Sequence, residues 1–321
     1  VCNIDYQQYL LGLFNKQGHL IAKLSFEQYE LINNRIILTA EPGYEPKLAA
    51  VTRLMHQHLK LLAVQEPVIS TILRSHGRKP NDYSAKLKLN FDAEQAAIKV
   101  ARNIQGQLLD LIKDNEYGVI HNTDSEFLHD FRVAVHRSQC ALKQLKSLYP
   151  ATELEYFVSF FAWLAELTNP SRDLDVQLLK LDQYQRTLPE ATRAALQPFL
   201  DDLTLLHQEY HRQLQTALES DRYRLTLQEW EQFLEHLPRN SKADRKLAIQ
   251  AVADHRIQTI YQRFLQQAQS LNLDEPSADT HTLRKTARKL RYLLEFFGSL
   301  YPAIIIDPLI ESLKAIQDVL G

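Results

Sequence analysis

Hydrophobic and polar residues follow two different rhythms along the chain. Between about residues 6 and 40, short apolar or alternating runs such as YLLGLF, HLIAKLSF and RIILTA are broken by the polar segments NKQG and NN, which is typical of β-strands joined by turns. Over residues 46–64, and again from about residue 92 onward, apolar residues recur every three or four positions, as on one face of an α-helix. The pattern therefore predicts a small α+β region followed by a mainly α region.

Breaks rich in proline, asparagine and serine divide the helical region into separate helices. The nine predicted helices span residues 92–114, 125–149, 151–168, 172–186, 190–219, 222–237, 242–271, 279–299 and 303–320. Because long amphipathic helices with short connections pack as antiparallel neighbours, the pattern predicts antiparallel bundles. The polar connector RSHGRKPNDYS separates the two regions. We therefore predict one domain over residues 1–80, a linker over 81–91 and a helical domain over 92–321.

One helical segment occurs twice. HDFRVAVHRSQCALKQLKSLYP (129–150) and HTLRKTARKLRYLLEFFGSLYP (281–302) have the same length, the same SLYP ending and the same His, Arg and Leu at positions one, four and fourteen. A repeat at a shift of 152 residues predicts two pseudo-symmetric helical bundles. In the second copy the sequence stops at Gly321, before any counterpart of SRDLDVQLL (171–179), so we expect that copy to be truncated at its C-terminus.

The composition is that of a globular protein. The 321 residues are 45% hydrophobic, which is enough for packed cores. No apolar run reaches the ~18 residues of a membrane span, and the first residues lack the zones of a signal peptide. Cys2 and Cys140 are the only cysteines, too few for a disulfide framework. We expect a cytoplasmic protein that does not bind a membrane.

Each copy of the repeated helix carries its cations on one face. With about 100° between successive residues, the apolar residues fall opposite the basic ones. The apolar faces comprise Phe131, Val135, Leu142 and Leu145 in the first copy and Leu283, Leu290, Leu294 and Phe297 in the second. The basic faces comprise His129, Arg132, His136 and Lys143 in the first copy and His281, Arg284, Arg288 and Arg291 in the second. Both helices are predicted to pack on one side and present cations on the other.

These basic faces contain almost no acidic partner, Glu295 being the exception. Like charges one helical turn apart repel each other by roughly 0.2–0.5 kcal/mol per pair. A solvated surface is the plain interpretation. A phosphate-rich ligand would instead relieve the repulsion, and arginine forks suit phosphate oxygens. The net charge of −2 does not decide between these two interpretations, because the placement of the charges matters more than their sum. We predict that the two faces form one basic groove or channel for a polyanion.

The ordered motifs LHDFRVAVHR, SRDLDV, SDRYR and HTLRKTARKLRYLLEFF resemble the CHAD family, the conserved histidine α-helical domain. The resemblance covers roughly residues 92–321, and the ordered set is more specific than any single motif. It implies two pseudo-symmetric four-helix bundles that bind inorganic polyphosphate along a basic central surface. It also implies association with polyphosphate granules.

Carried over residue by residue, the resemblance implies a binding site with members in both copies. Its members are His129, Arg132, Arg137, Arg172, His281, Arg284, Arg288, Lys289 and Arg291. The basic faces add His136 and Lys143, and the later helices add Arg256 and Arg263 as weaker candidates. His136 stands where the family commonly has arginine, and Ser138 and Gln139 stand where it is often basic. The first half-site is therefore expected to be weaker or more sensitive to pH.

The segment DYSAKLKLNFDAEQAA (82–97) and the PGY turn before it resemble the end of a CYTH domain, a triphosphate tunnel fold. A CYTH enzyme uses a glutamate-rich ExExK strand, and no such motif occurs in this sequence. We therefore expect a non-enzymatic polyphosphate-binding protein without cofactor or metal. Two alternatives stay open. One is a CYTH-type metal-dependent tripolyphosphatase whose helices recruit substrate. The other is a nucleic-acid-binding protein, although the sequence contains no recognised nucleic-acid-binding module.

Two further motifs have plain structural interpretations. His207 and His211 in HQEYH have the i,i+4 spacing of metal ligands, but no third ligand is near in sequence, so we expect a solvated helix face. Asp173 and Asp175 in RDLDV fit the first turn of a helix, where negative charge meets the helix dipole.

Overall fold

Three β-strands and ten α-helices form within the part of the chain that this computed structural model describes, residues 5–64, 66–79, 82–237, 247–271 and 278–320. The chain divides after Ser84 into two compact units. The prediction of a mainly helical fold with a small N-terminal sheet is confirmed.

The first unit is built on an antiparallel sheet in the order β1-β2-β3. Its strands are β1 (Tyr6–Phe14), β2 (Leu20–Tyr29) and β3 (Arg35–Ala40). Gly18 in the β1–β2 turn has a φ of 82°, a conformation that glycine adopts without strain. Two helices follow, α1 (Glu45–Leu59) and α2 (Val68–Ser75). The resemblance of this unit to part of a CYTH domain stays a prediction.

The second unit is helical. The helices described there are α3 (Ala97–Ile120), α4 (Ser125–Gln144), α5 (Ala151–Gln185), α6 (Glu190–Leu218), α7 (Asp221–His236), α8 (Ile249–Gln269), α9 (Ala278–Phe297) and α10 (Ala303–Val319). The unit begins within the segment predicted as a linker. The Lys88 backbone exchanges two hydrogen bonds with the Gln107 side chain, of 2.8 and 3.0 Å, and the Phe91 N–H donates to Ser299 Oγ at 3.0 Å. Residues from Ala85 onward are therefore part of the helical unit.

Helix α5 runs without a break where two helices were predicted. Pro170 lies inside it and removes one backbone donor. The carbonyl that loses this donor is that of Glu166, an exposed residue. Buried residues on both sides, among them Leu164 and Leu174, keep the helix packed through the proline, since packing rather than propensity stabilises most helices. Asp173 therefore lies in mid-helix, and the predicted first-turn role of the RDLDV carboxylates is wrong.

The backbone repeats at the shift found in the sequence. Helices α3 and α8 begin 152 residues apart, as do α5 and α10, and the 3₁₀ turns Lys146–Leu148 and Gly298–Leu300 match likewise. The copies meet at equivalent positions, because Ala97 N–H donates to Leu247 O and Ile249 N–H donates to Gln95 O, both at 2.9 Å. This reciprocal pair has a local two-fold pattern. The pseudo-symmetry of two whole bundles stays a prediction.

The apolar faces predicted for α4 and α9 are buried. Phe131, Val135 and Leu142 are completely inaccessible on α4, while Leu290 and Leu294 are 4% exposed on α9. The two α9 leucines also line an apolar cavity of about 500 Å³ between α8, α9 and α10. Packing of these faces fixes the rotation of both helices, and thereby the direction in which their cationic residues point.

Candidate functional site

A cavity of about 300 Å³ lies where α4, α9 and α10 meet. We call it the basic pocket. Its lining comprises His129, Arg132, Val133, His136, Arg284, Arg288, Arg291, Tyr292, Lys314, Gln317 and Asp318. Five side chains of the lining are arginine or lysine and one is acidic. The pocket thus contains three residues from each predicted basic face, while Lys143 and His281 of those faces lie outside its lining.

Helical spacing explains how each repeated helix contributes several residues. His129, Arg132 and His136 follow each other at three and four positions, and the three α9 arginines of the pocket follow at four and three, so each set lies on one face. Helix α4 begins one turn before His129, where the Asp124 side chain accepts the N–H of Glu126 at 2.8 Å. This N-cap sets the start of the helix.

Neutral oxygens hold two of the pocket arginines. Arg132 donates through Nε and Nη2 to Asn169 Oδ1, at 3.2 and 2.6 Å, and Arg284 donates through Nε to the Gln317 carbonyl at 3.2 Å. Because these acceptors carry no formal charge, they orient the guanidiniums without neutralising them. Burial lowers the pKa of Arg132, opposed by Asp173, and the charge of Arg288 lowers it further. Arginine remains protonated all the same.

His136 lies between charges of the same sign. Burial, followed by the charges of Arg132 and Arg288, lowers the pKa of His136 to about 4. Its Nε2 is buried and has no hydrogen-bond partner. At neutral pH this ring is therefore uncharged, and its inner nitrogen is unsatisfied.

Glu295 binds two arginines beside the pocket. Its carboxylate lies 2.6 Å from Nη2 of Arg137 and 3.4 Å from Nη1 of Arg291. Both guanidiniums also lie over the Tyr292 ring, with the Arg137 and Arg291 carbons 5.4 and 5.2 Å from its centroid. Arg137 therefore pairs across the α4–α9 contact and does not line the basic pocket.

A second group of cations surrounds Lys289. Burial lowers the pKa of Lys289, and the charges of Arg263, Lys143 and Lys285 lower it further, while Cys140 opposes them. We call these four basic residues the lysine cluster. Within the described residues, no ion pair joins any of them to an acid. Lys289 follows Arg288 of the basic pocket on α9, and the charges of both residues and of Lys143 act on Cys140. The lysine cluster therefore lies near the basic pocket.

Three other predicted residues have different surroundings. Arg172 donates through Nη1 to the Ser125 carbonyl at 3.2 Å, which ties α5 to the start of α4. Arg256 donates through Nε to the carbonyl of Gln144 at the end of α4. His281 is exposed and lies outside the pocket lining. The structure thus brings together six of the thirteen predicted residues in the basic pocket, and places Arg137 and the lysine cluster beside it.

Helix α10 supplies a wall of the pocket that sequence reasoning missed. Lys314, Gln317 and Asp318 come from its last turns. Their spacing of three and four positions was the available signal. It was missed because α10 is otherwise strongly apolar and lacks the density of cations seen on α4 and α9.

The HQEYH histidines are hydrogen-bonded inside the fold. His207 Nε2 lies 2.7 Å from Asp175 Oδ1, and His211 Nε2 lies 2.8 Å from the Val119 carbonyl. The His207 side chain is 13% exposed, so the expectation of a solvated helix face is wrong. In the described ranges, no group of three or more His, Cys, Asp or Glu is arranged to hold a metal ion.

Among the helices described, none is long and apolar enough to cross a lipid bilayer.

Comparison with known proteins identifies the helical unit. The crystal structure of the CHAD domain from the plant Ricinus communis matches with a TM-score of 0.64 and 26% identity, covering 74% of this chain and 78% of that one. PptA from Streptomyces chartreusis matches with a TM-score of 0.52 and 16% identity, covering 70% and 81%, a likeness that shows the fold alone. No curated protein matches the chain. The sequence model of the CHAD domain family matches residues 104–321. This range includes both repeated helices and more than half of the chain, so this protein belongs to the CHAD domain family.

Proposed function

We propose that the protein binds inorganic polyphosphate in the basic pocket and does not hydrolyse it. The observation that carries the proposal is the convergence of Arg132, Arg284, Arg288, Arg291 and Lys314 on one cavity whose lining contains a single acid. Such a concentration of like charge is unfavourable when the cavity is empty. The attraction between a bound polyanion and these cations would offset their mutual repulsion.

The geometry of the cations favours phosphate over a general anion. Arginine presents paired donors that match two oxygens of a phosphate group. Arg132 and Arg284 are held by neutral acceptors, and among the described residues neither of them forms an ion pair with a carboxylate. A chain of phosphates would contact several cations at once and release condensed counterions, which predicts a steep loss of affinity as salt rises.

The adjoining lysine cluster supports a ligand that is longer than one phosphate. A chain bound in the basic pocket would extend towards Lys289, because the charges of Arg288, Lys289 and Lys143 all act on Cys140 and therefore lie near one another. Resemblance of the sequence to polyphosphate-binding CHAD proteins points in the same direction. We also propose that this binding recruits the protein to polyphosphate granules, and that the first unit is part of a CYTH-like region.

A tripolyphosphatase is less well supported. In this alternative catalysis would take place in the first unit, but the sequence has no ExExK motif. Metal-dependent phosphoryl transfer relies on several oxygen ligands to hold its cations, and among the described residues no group of three or more His, Cys, Asp or Glu is arranged to hold a metal ion. The CHAD domain itself is not a known catalytic domain. Incubation with tripolyphosphate and Mg²⁺ or Mn²⁺ tests this alternative, and sustained release of phosphate would support it.

Nucleic-acid binding lacks a platform for the bases. Tyr292 is the aromatic residue of the pocket lining, but it is 4% exposed and covered by two guanidiniums. Single-stranded nucleic acids are usually gripped by exposed aromatic rings that stack on bases. Competition of labelled polyphosphate with single-stranded DNA and RNA, at equal phosphate concentration and salt, should therefore favour polyphosphate.

Charge reversal within the pocket tests the proposal directly. Combined Arg284→Glu, Arg288→Glu and Arg291→Glu substitutions should weaken polyphosphate binding by about 100-fold or more at low salt. The matched control changes Arg186, Arg212 and Arg224 to Glu, which alters net charge equally at exposed i,i+3 and i,i+4 ion pairs. Binding should be measured by fluorescence anisotropy and helicity by circular dichroism. Equal loss in both triple variants would contradict a specific site.

A further inference from the structure

The repeat places His136 of α4 where α9 has Arg288. Both residues line the basic pocket, so one half of the site carries a permanent charge at this position and the other a titratable ring. His136 Nε2 is buried without a partner. Nδ1, the other ring nitrogen, is not enclosed in this way and has no protein partner among the described residues, so a ligand atom in the pocket reaches the ring at Nδ1.

All charged groups around His136 bear on its protonation. The two charges that act on it most strongly belong to Arg132, one turn earlier on α4, and Arg288 on α9. On α5, Arg172 and Asp173 act on Arg132. Helix α3 faces α4 with apolar side chains and with Gln105, which donates to the Ser138 carbonyl at 3.1 Å. The remaining titratable or charged groups of the pocket lining are His129, Arg284, Arg291, Tyr292, Lys314 and Asp318.

We propose that His136 takes up a proton from solvent when polyphosphate binds, so that its Nδ1–H donates to a phosphate oxygen. This inference rests on the proposed function and adds to it a coupling between binding and pH. In this step the neutral imidazole, the polyanion and one proton from solvent form a complex that contains an imidazolium. No other bond is made or broken.

The same charges that suppress protonation in the empty pocket are compensated in the complex. Arg132 and Arg288, with burial, hold the pKa of His136 at about 4. Phosphate oxygens bring negative charge to the ring, which favours the charged imidazolium and raises its pKa. At pH values between the pKa of His136 in the free protein and its pKa in the complex, the affinity for polyphosphate should rise as pH falls. The rise is at most about tenfold per pH unit, because one proton is taken up. Above both pKa values this dependence disappears.

Titration calorimetry of the full chain with long-chain polyphosphate tests the coupling. Long chains carry few terminal groups that titrate near neutrality. At each pH from about 5 to about 8, measurements in two phosphate-free buffers of different ionisation enthalpy report the protons taken up. The wild-type protein should take up a proton as pH falls, and His136→Gln should lose most of that uptake.

Two further variants make the assignment specific. His136→Arg carries a permanent charge, so it should bind at least as tightly as wild type near pH 7.5 and lose most of the pH dependence. His129→Gln removes the other histidine of the pocket lining and should retain most of the uptake. Thermal unfolding verifies that each variant is folded, and His136→Asn replaces His136→Gln if the latter is not.

The outcomes separate this inference from the proposed function. Absence of polyphosphate binding by the folded wild-type protein at every pH would contradict the proposed function itself. Binding with equal proton uptake in wild type and His136→Gln would overturn the proton-uptake role of His136 and leave the function intact. Uptake abolished by His129→Gln but not by His136→Gln would assign the proton to His129 and overturn the inference as well.

Discussion

Arg137 of α4 and Glu295 of α9 form an ion pair with an Nη2–Oε2 distance of 2.6 Å. Under the 152-residue shift the counterpart of this pair is Lys289 with Lys143, two like charges within the lysine cluster. The same place in the repeat is thus an attractive contact on one side and a repulsive one on the other. Glu295 therefore neutralises the charge of Arg137 beside the basic pocket, whereas the lysine cluster has no such acid among the described residues.

Removing the Glu295 charge should strengthen polyphosphate binding. In Glu295→Gln, Arg137 and Arg291 lose their shared carboxylate, so Arg291 is free to bind phosphate in the basic pocket. We expect affinity to rise several-fold at low salt, and the free energy of unfolding to fall by about 1–2 kcal/mol because two partly buried guanidiniums lose their acid. Anisotropy and urea denaturation measure the two effects.

A surface pair provides the control for this substitution. Glu209→Gln also removes one negative charge, but from a pair with Arg212 whose side chains are 46% and 66% exposed. Such pairs contribute little to stability, so both affinity and unfolding should stay near wild type. If Glu209→Gln strengthened binding as much as Glu295→Gln, net charge rather than the release of Arg291 would be the cause.

Replacing Lys289 should separate long ligands from short ones. In Lys289→Gln the repulsion from Arg263, Lys143 and Lys285 is relieved, so the empty protein should be stabilised by about 0.5 kcal/mol. Long-chain polyphosphate should bind several-fold more weakly, while pyrophosphate, which fits the basic pocket alone, should bind nearly as before.

Lys180→Gln serves as the comparison for Lys289→Gln, since Lys180 is exposed and lies on α5 outside the pocket lining. It should affect neither ligand by more than the loss of one distant charge. An equal weakening of pyrophosphate and long-chain polyphosphate by Lys289→Gln would argue against a chain that extends from the pocket to the cluster.

Local periodicity predicted the parts of the site that lie on a single helix. The apolar positions of α4 and α9 determine which face is buried, so residues such as Arg132 and Arg288 could be assigned to the opposite face from sequence. Contributions from other helices could not be assigned in this way. Asn169 holds Arg132 from within α5, and the continuity of α5 through Pro170 depends on packing that no local rule contains. The partner of Arg137 likewise depends on how α4 crosses α9.

Gly118 of α3 should be intolerant of a side chain. A Cβ at this position would collide with the ring of Phe127 on α4, whereas nothing lies within 4 Å of a Cβ at Gly106 on the same helix. Gly118→Ala should therefore lower the free energy of unfolding by about 1–3 kcal/mol through overpacking. Gly106→Ala should raise it by about 0.5–1 kcal/mol, because alanine favours a helix. Opposite signs in urea denaturation are the expected result, and destabilisation by both substitutions would contradict the packing of α3 on α4.

The stability of the ligand-free protein should depend on pH through His136. Its pKa is about 4 in the folded protein and about 6.5 in an unfolded chain, so between these values the unfolded state binds more protons. Stability contributed by the neutral ring is therefore present above about pH 6.5 and lost as pH falls towards 4, by about 2–3 kcal/mol. The expected difference is a smaller loss of unfolding free energy in His136→Gln than in wild type between pH 7 and pH 4.5. Because other groups titrate equally in both proteins, parallel pH profiles would show that His136 is solvated in the native state. Added polyphosphate should reduce the loss in wild type alone, since it stabilises the imidazolium.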